Sequence, residues 1–196
     1  IEEFQVRNEI FPYLTFVSEE IDFDKLPLPS YIEGQGAPIK NLGHGTFAQK
    51  IAAQKVIANA FKGKSDKVDI KIFMVDLLMV YMPGTTKEKF ESLSFMQCYP
   101  VFNHYCNEIL RLVARDKKYL DKKPDAELTL AGIEKLSKFG EMRIIDQLAG
   151  GDLVKYDEIL KMEYDVIFKK LWYISEHYEF TKRVHTIRER KSKQAA

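Results

Sequence analysis

Apolar residues recur at helical spacing over most of the chain and alternate with polar ones only near its start. Between residues 1 and 32, Phe4, Val6, Tyr13, Thr15 and Val17 follow a period of two, and Pro12, Pro27 and Pro29 forbid one continuous helix. The pattern predicts a strand pair or an extended docking arm. Residues 33–45 are the loop-richest stretch, with Gly34, Gly36, Pro38, Gly43 and Gly45. Gly43-His44-Gly45 has the shape of a phosphate-approach turn. Neither GxxxxGK[ST] nor GxGxxG is present, however, and a plain connector accounts for it.

From Thr46 the period becomes helical. Thr46 can cap a helix running to about Lys62, with Phe47, Ile51, Ala58 and Phe61 on a loose face and Gly63 as its stop. Ser65 or Asp66 starts a second helix, whose Val68, Ile72, Val75, Met79 and Met82 alternate spacings of four and three. Pro83-Gly84 breaks it, and Thr85 with Glu88 fits a capping box for a third helix that carries Phe90 and Leu93 and ends before Pro100. Another begins at Pro100, with Phe102, Tyr105, Ile109, Leu112 and Val113 on one side.

Arg115 to Asp125 is densely charged and contains Pro124, which predicts a linker. Beyond it, Leu128, Leu130, Ile133, Leu136 and Phe139 predict a short helix stopped at Gly140, and Met142 to Leu148 another stopped at Gly150-Gly151. Asp152 follows as an N-cap for a helix carrying Leu153, Tyr156, Ile159 and Leu160. Residues 163–191 contain neither Gly nor Pro and predict one rod of roughly 40 Å at ~1.5 Å per residue. Its first half is apolar, with Tyr164, Ile167, Phe168, Leu171, Trp172, Ile174 and Tyr178. Its second half is polar and ends on Lys182, Arg183, Arg188, Arg190, Lys191 and Lys193.

The fold class that follows is mainly α: a helical domain with a short extended or β N-terminal segment and a long C-terminal helix. The parts are an arm and loop over 1–45, a helical core over 46–115, a charged linker over 116–126 and a C-terminal helical element over 127–196. Gly150 and Gly151, with Asp152 as the cap, read as a hinge that aims the terminal helix toward a partner.

Composition narrows the classes without naming a function. A chain of 196 residues with 45% hydrophobic and 30% charged residues is globular rather than disordered. Its net charge of +1 gives no chain-wide attraction for nucleic acid, so any basic surface is local. Two cysteines are too few for a disulfide framework. The apolar run Ile70 to Met82 is short of the ~20 residues of a bilayer span. Ile1-Glu2-Glu3-Phe4 lacks the basic start and apolar core of a signal peptide.

The candidate chemistry is thin. Asp152, Asp157, Glu158, Glu163 and Asp165 are dense enough to suggest paired carboxylates or Mg²⁺, but Lys155, Lys161 and Lys169 are interspersed as on ordinary helical faces. Cys98, His104 and Cys106 lack a second metal-binding arm, and a helix turns positions i and i+2 to different sides. Met74, Met79 and Met82 fall within an apolar run, where core packing outweighs a soft metal site or an adaptable groove. His44, His104, His177 and His185 are scattered, and no GxSxG, HExxH or kinase-like set occurs. The expectation is a protein that is not an enzyme, with no catalytic residue, metal or cofactor.

Asp146-Gln147-Leu148-Ala149-Gly150-Gly151-Asp152-Leu153-Val154-Lys155-Tyr156-Asp157-Glu158-Ile159-Leu160 resembles the C-terminal part of small tail-morphogenesis proteins of tailed bacteriophages. In tail assembly chaperones and some baseplate-hub or virion accessory proteins, a short helix ends in a small-Gly-Asp turn. A capped helix follows, then a long Tyr- and Leu-rich helix with a charged tail, as Tyr164 to Arg190 supply here. The resemblance covers about a quarter of the chain. It implies a non-enzymatic structural protein, in the virion or the host cytoplasm, that forms homo- or hetero-oligomers with other virion or assembly proteins.

The residue types agree with that expectation, because aromatics and arginine are enriched at interface anchors. Phe168, Trp172 and Tyr178 are the expected core or interface anchors, and Arg183, Arg188 and Arg190 the expected rim. The alternative partner is nucleic acid, held by the basic C-terminal stretch. Against it, the aromatics precede the basic part and fall on the face expected to pack, whereas stacking platforms are exposed beside the charge. A third expectation, an accessory subunit of an organellar complex, requires a targeting leader.

Overall fold

The computed structural model describes residues 27–30, 32, 38–61, 69–82, 84, 86–122 and 126–194, and Met96 without its side chain. The protein is mainly α, with no strand among the described residues and a long C-terminal helix. The predicted strand pair or arm over 1–32 falls almost entirely outside the described residues. No helix among the described residues is long and apolar enough to cross a membrane. The chain divides into two compact units, Ile1–Val113 and Ala114–Ala196.

In the first unit, α1 (Phe47–Ala60) starts where a reciprocal capping box forms. Gln49 N–H donates to Thr46 Oγ1 at 3.2 Å, and Thr46 N–H donates to Gln49 Oε1 at 2.9 Å. The Gln49 amide then donates to Val80 O at 3.0 Å, tying the start of α1 to the end of α2 (Ile70–Tyr81). Asp69 caps α2 by accepting from Ile72 N–H. The start expected at Ser65 or Asp66 lies outside the described residues. Phe73, Met74, Val75, Leu77, Leu78 and Tyr81 are all buried, as expected of a helix that is apolar nearly all round. Ile72, expected in the packing seam, is exposed.

The third helix, α3 (Lys87–Ser92), is capped by Thr86, which accepts from Lys89 N–H, not by the expected Thr85. The expected break before Pro100 is absent. Instead α4 runs from Phe95 to Leu120 with Pro100 inside it. The chain turns earlier, at Leu93, and Ser94 with Gln97 holds the start: Gln97 Oε1 accepts from both Ser94 N–H and Ser94 Oγ at 3.0 Å. Pro100 forfeits one intrahelical hydrogen bond. Cys98, Tyr99, Val101, Phe102 and Tyr105, all buried, outweigh that loss at ~1.5–3 kcal/mol for each large apolar side chain. Phe102 meets Phe73 edge-on at 5.5 Å and Tyr105 meets Tyr81 at 5.1 Å.

The loop before α1 is laced to one side of α4. Tyr105 Oη accepts from Ile39 N–H, and the ring of His104 bonds Ile39 O, both at 3.2 Å. Glu108 Oε2 accepts from Leu42 N–H at 3.1 Å, while Arg111 bridges Glu108 and Asn41 at 2.8 Å. Gly43 lies in a short 3-10 turn, Leu42–His44, that these bonds hold, so the glycine-rich stretch is a connector there.

The second unit begins within α4. Residues 116–120 of the predicted linker are helical, because they continue a helix that pairs its last turns with the C-terminal element. The single helix expected over 128–139 is interrupted. Helix α5 (Ala126–Leu130) ends at Gly132, whose φ of +79° only glycine adopts readily, and a 3-10 turn (Ile133–Phe139) follows. Helix α6 (Met142–Ala149) packs on α7 (Tyr156–Lys161), burying Ile145, Ala149 and Ile159. The chain ends in α8 (Tyr164–Gln194), 31 residues or roughly 46 Å at ~1.5 Å per residue.

Candidate functional site

Two features of the second unit stand out, and the first positions α8. The first is a polar and aromatic clasp between its first turns and the end of α4. Arg115 Nη1 donates to Asp165 Oδ1 at 2.5 Å, and Tyr164 Oη donates to Asp116 Oδ2. The Arg115 guanidinium lies over the Phe168 ring, 3.9 Å from its centre. Burial, reinforced by the Asp116 charge, pushes the Tyr164 hydroxyl far above the ordinary phenol range, so it remains a donor. Tyr119 meets Phe168 edge-on at 6.1 Å and Trp172 at a tilt at 4.9 Å. One turn further on, Lys122 Nζ bonds Glu176 Oε1 at 3.0 Å and holds that carboxyl below its usual range.

The second feature is the corner between α6 and α7. Gly150 and Gly151 both have positive φ, +67° and +78°. Gly151 N–H donates to Asp146 O at 3.0 Å, the closing bond of a Schellman-type stop. Asp152 does act as a cap, accepting from Val154 N–H at 3.1 Å. It caps a short 3-10 turn, Leu153–Lys155, that precedes α7, not an α-helix starting at once. Tyr156 Oη donates to Asp146 Oδ1 at 2.6 Å, bridging the corner. Gly150, Gly151 and Asp152 therefore shape a hydrogen-bonded corner, and the bridging Tyr156–Asp146 bond carries no local sequence signal.

Among the expected anchors, Phe168 is buried within the clasp and Trp172 is partly covered by Tyr119. Tyr178 is half exposed, and Arg183, Arg188 and Arg190 are exposed along the last turns. The structure brings Phe168 and Trp172 together, 6.2 Å apart, and leaves the arginines on a different stretch of the helix. It also corrects the expectation that the aromatics of α8 lie only on a packed face: Tyr173 and Phe180 are exposed, and Phe180 stands just before Lys182 and Arg183.

The cysteines are not poised for chemistry. Burial pushes the Cys98 thiol up and the Cys106 thiol up to about 12, so both are protonated at neutral pH. Among the described residues, no group of three or more His, Cys, Asp or Glu is arranged to hold a metal ion. The carboxylates Asp152 and Asp165 serve as a cap and an arginine partner. No protein-family model, curated protein or solved structure matches the chain.

Proposed function

We propose that this chain is a non-enzymatic structural or assembly protein of a larger particle, acting through protein–protein contacts made by α8. The observation that carries the reading is the division of α8: Tyr164, Ile167 and Phe168 are buried at its base, while Tyr173, Phe180 and Ile187 stand exposed beyond it. Large apolar side chains repeated along one exposed element are the surface that a binding partner covers. The resemblance of residues 146–160 to phage tail-morphogenesis proteins supports a bacteriophage tail or virion as the particle, and other virion proteins as partners. The setting is then the virion or the host cytoplasm.

A photo-crosslinking amino acid at position 180, introduced in cells that produce the particle, tests this. The expected result is a crosslinked band containing this chain and a virion or assembly protein identified by mass spectrometry. Only uncrosslinked chain at its own mass contradicts the reading.

The exposed Phe180, close before Lys182 and Arg183 with Arg188 and Arg190 further along, favours a second reading, a nucleic-acid contact. It requires retention on heparin that weakens steeply with salt and is lost when 182–193 are removed. Retention unaffected by that truncation contradicts it.

A further inference from the structure

Val166, Tyr173, Phe180 and Ile187 follow one another at intervals of seven residues along α8, and each is more than half exposed, at 52, 60, 58 and 53%. Residues four beyond them, Lys170, His177, Val184 and Lys191, fall on the same side, because two helical turns nearly close in seven residues. The drift is only ~20° per heptad. At ~100° per residue this seam lies roughly opposite Tyr164 and Phe168, which the clasp buries. Thus the first turns of α8 have an inner face that the chain itself covers, at Tyr164, Ile167 and Phe168, and the helix has an outer heptad seam that is exposed.

We propose that the outer seam of α8 pairs with the same seam of a second copy of this chain, the two helices running antiparallel. The inference rests on the reading of α8 as a contact element and names its partner. Charge decides the direction. Residues 182–194 carry Lys182, Arg183, Arg188, Arg190, Lys191 and Lys193 against a single acid, Glu189. A parallel pair would run this basic stretch along itself and set Lys170, His177 and Lys191 each against its own copy.

The antiparallel arrangement centred between residues 178 and 179 avoids both. It seats Tyr173 on Val184 of the second copy and His177 on its Phe180, and it covers Val166 and Ile187 with the aliphatic stems of Lys191 and Lys170. On the flank of the seam, Glu176 then faces Arg183 of the second copy, twice by symmetry.

Size sets the strength. The exposed portions of Val166, Tyr173, His177, Phe180, Val184 and Ile187 amount to roughly 500 Å² per copy, taking ~150–250 Å² for a whole aromatic side chain. A pair buries about 1,000 Å², at the lower limit of specific interfaces, so association is reversible and concentration-dependent.

Light scattering of the full chain across a concentration series tests the pairing. The expected result is a mass rising from 22.8 kDa toward twice that value. Tyr173→Ser with Phe180→Ser, at exposed positions that leave helical circular dichroism intact, weakens association at least tenfold. Glu176→Arg and Arg183→Glu each weaken it about fivefold, and the double reversal restores it. Because Glu176 also bonds Lys122 within the chain, the restoration is the decisive arm.

A full chain that stays monomeric at every concentration overturns the pairing, whether the seam is then found to hold residues 1–26 or a polyanion. Association indifferent to the seam substitutions overturns it too, and a double reversal without rescue overturns the antiparallel register. A monomer that still crosslinks to a virion protein through position 180 refutes the pairing alone. A monomer that crosslinks to nothing refutes the assembly reading as well.

Discussion

Arg115 and Asp165 are fifty positions apart in sequence and their side chains meet at 2.5 Å, with the guanidinium also stacked on Phe168. This contact fixes the first turn of the terminal helix against the end of α4, within the second unit. Because both side chains are mostly removed from water, neither charge is well solvated when the other is deleted. Asp165→Asn is expected to destabilise the chain by about 2 kcal/mol. Arg115→Ala, which also removes the ring contact, costs about 3 kcal/mol. Urea denaturation monitored by Trp172 fluorescence measures both, and equal losses would assign the ring contact no weight.

The corner at Gly150-Gly151 makes a sharper claim about backbone. A methyl group added at either glycine meets nothing within 4 Å, so any loss on substitution comes from the left-handed conformation and not from a clash. Gly150→Ala and Gly151→Ala are each expected to cost about 1–2 kcal/mol. Gly150→Asn should recover part of that loss, because asparagine tolerates positive φ. Full stability of the alanine variants would show that the corner rearranges without penalty. Retained assembly in the double alanine variant would dispose of the idea that these glycines aim α8 as a hinge.

Local signals made much of the fold legible. Thr46 and Gln49 are three residues apart and cap α1 as their spacing suggests, and the absence of Gly and Pro after residue 163 foretells α8. Pro100 reads as a stop because proline disfavours the helical conformation of the residue before it, yet the burial that Tyr99, Phe102 and Tyr105 gain in one long helix outweighs that preference. The signal that locates the true start, Ser94 with Gln97, is also present in the sequence.

The clasp was not legible. Arg115 and Asp116 lie in a charged run that reads as solvated, and nothing local links them to Tyr164 and Asp165. The seam of α8 was masked for a different reason. One apolar residue per two turns among lysines and arginines stands out only once burial of Tyr164, Ile167 and Phe168 shows which face is already used.

Acid sensitivity follows from the lacing of the loop onto α4. Burial alone would raise the Glu108 carboxyl, but the hydrogen bonds from Arg111 and Leu42 N–H, with the Arg111 and His104 charges, bring it below its ordinary value of 4.5. A carboxylate whose value is depressed on folding contributes stability at pH above its unfolded value and loses it as pH falls through the folded one. Wild-type stability should therefore fall, as pH drops below the ordinary carboxylate value of 4.5, more steeply than that of Glu108→Gln. The two should differ most at neutral pH, by about 1 kcal/mol after allowance for partial exposure. Parallel pH profiles of thermal midpoint would remove Glu108 from the account.

The central claim, that α8 exists to join this chain to a larger assembly, is tested most directly by sedimentation of the native chain through a density gradient from the cells that make it. The account predicts that it travels with particle fractions, and that Tyr173→Ser with Phe180→Ser returns it to the top of the gradient. Recovery of the unaltered chain only at the position of a single unassociated copy would contradict it.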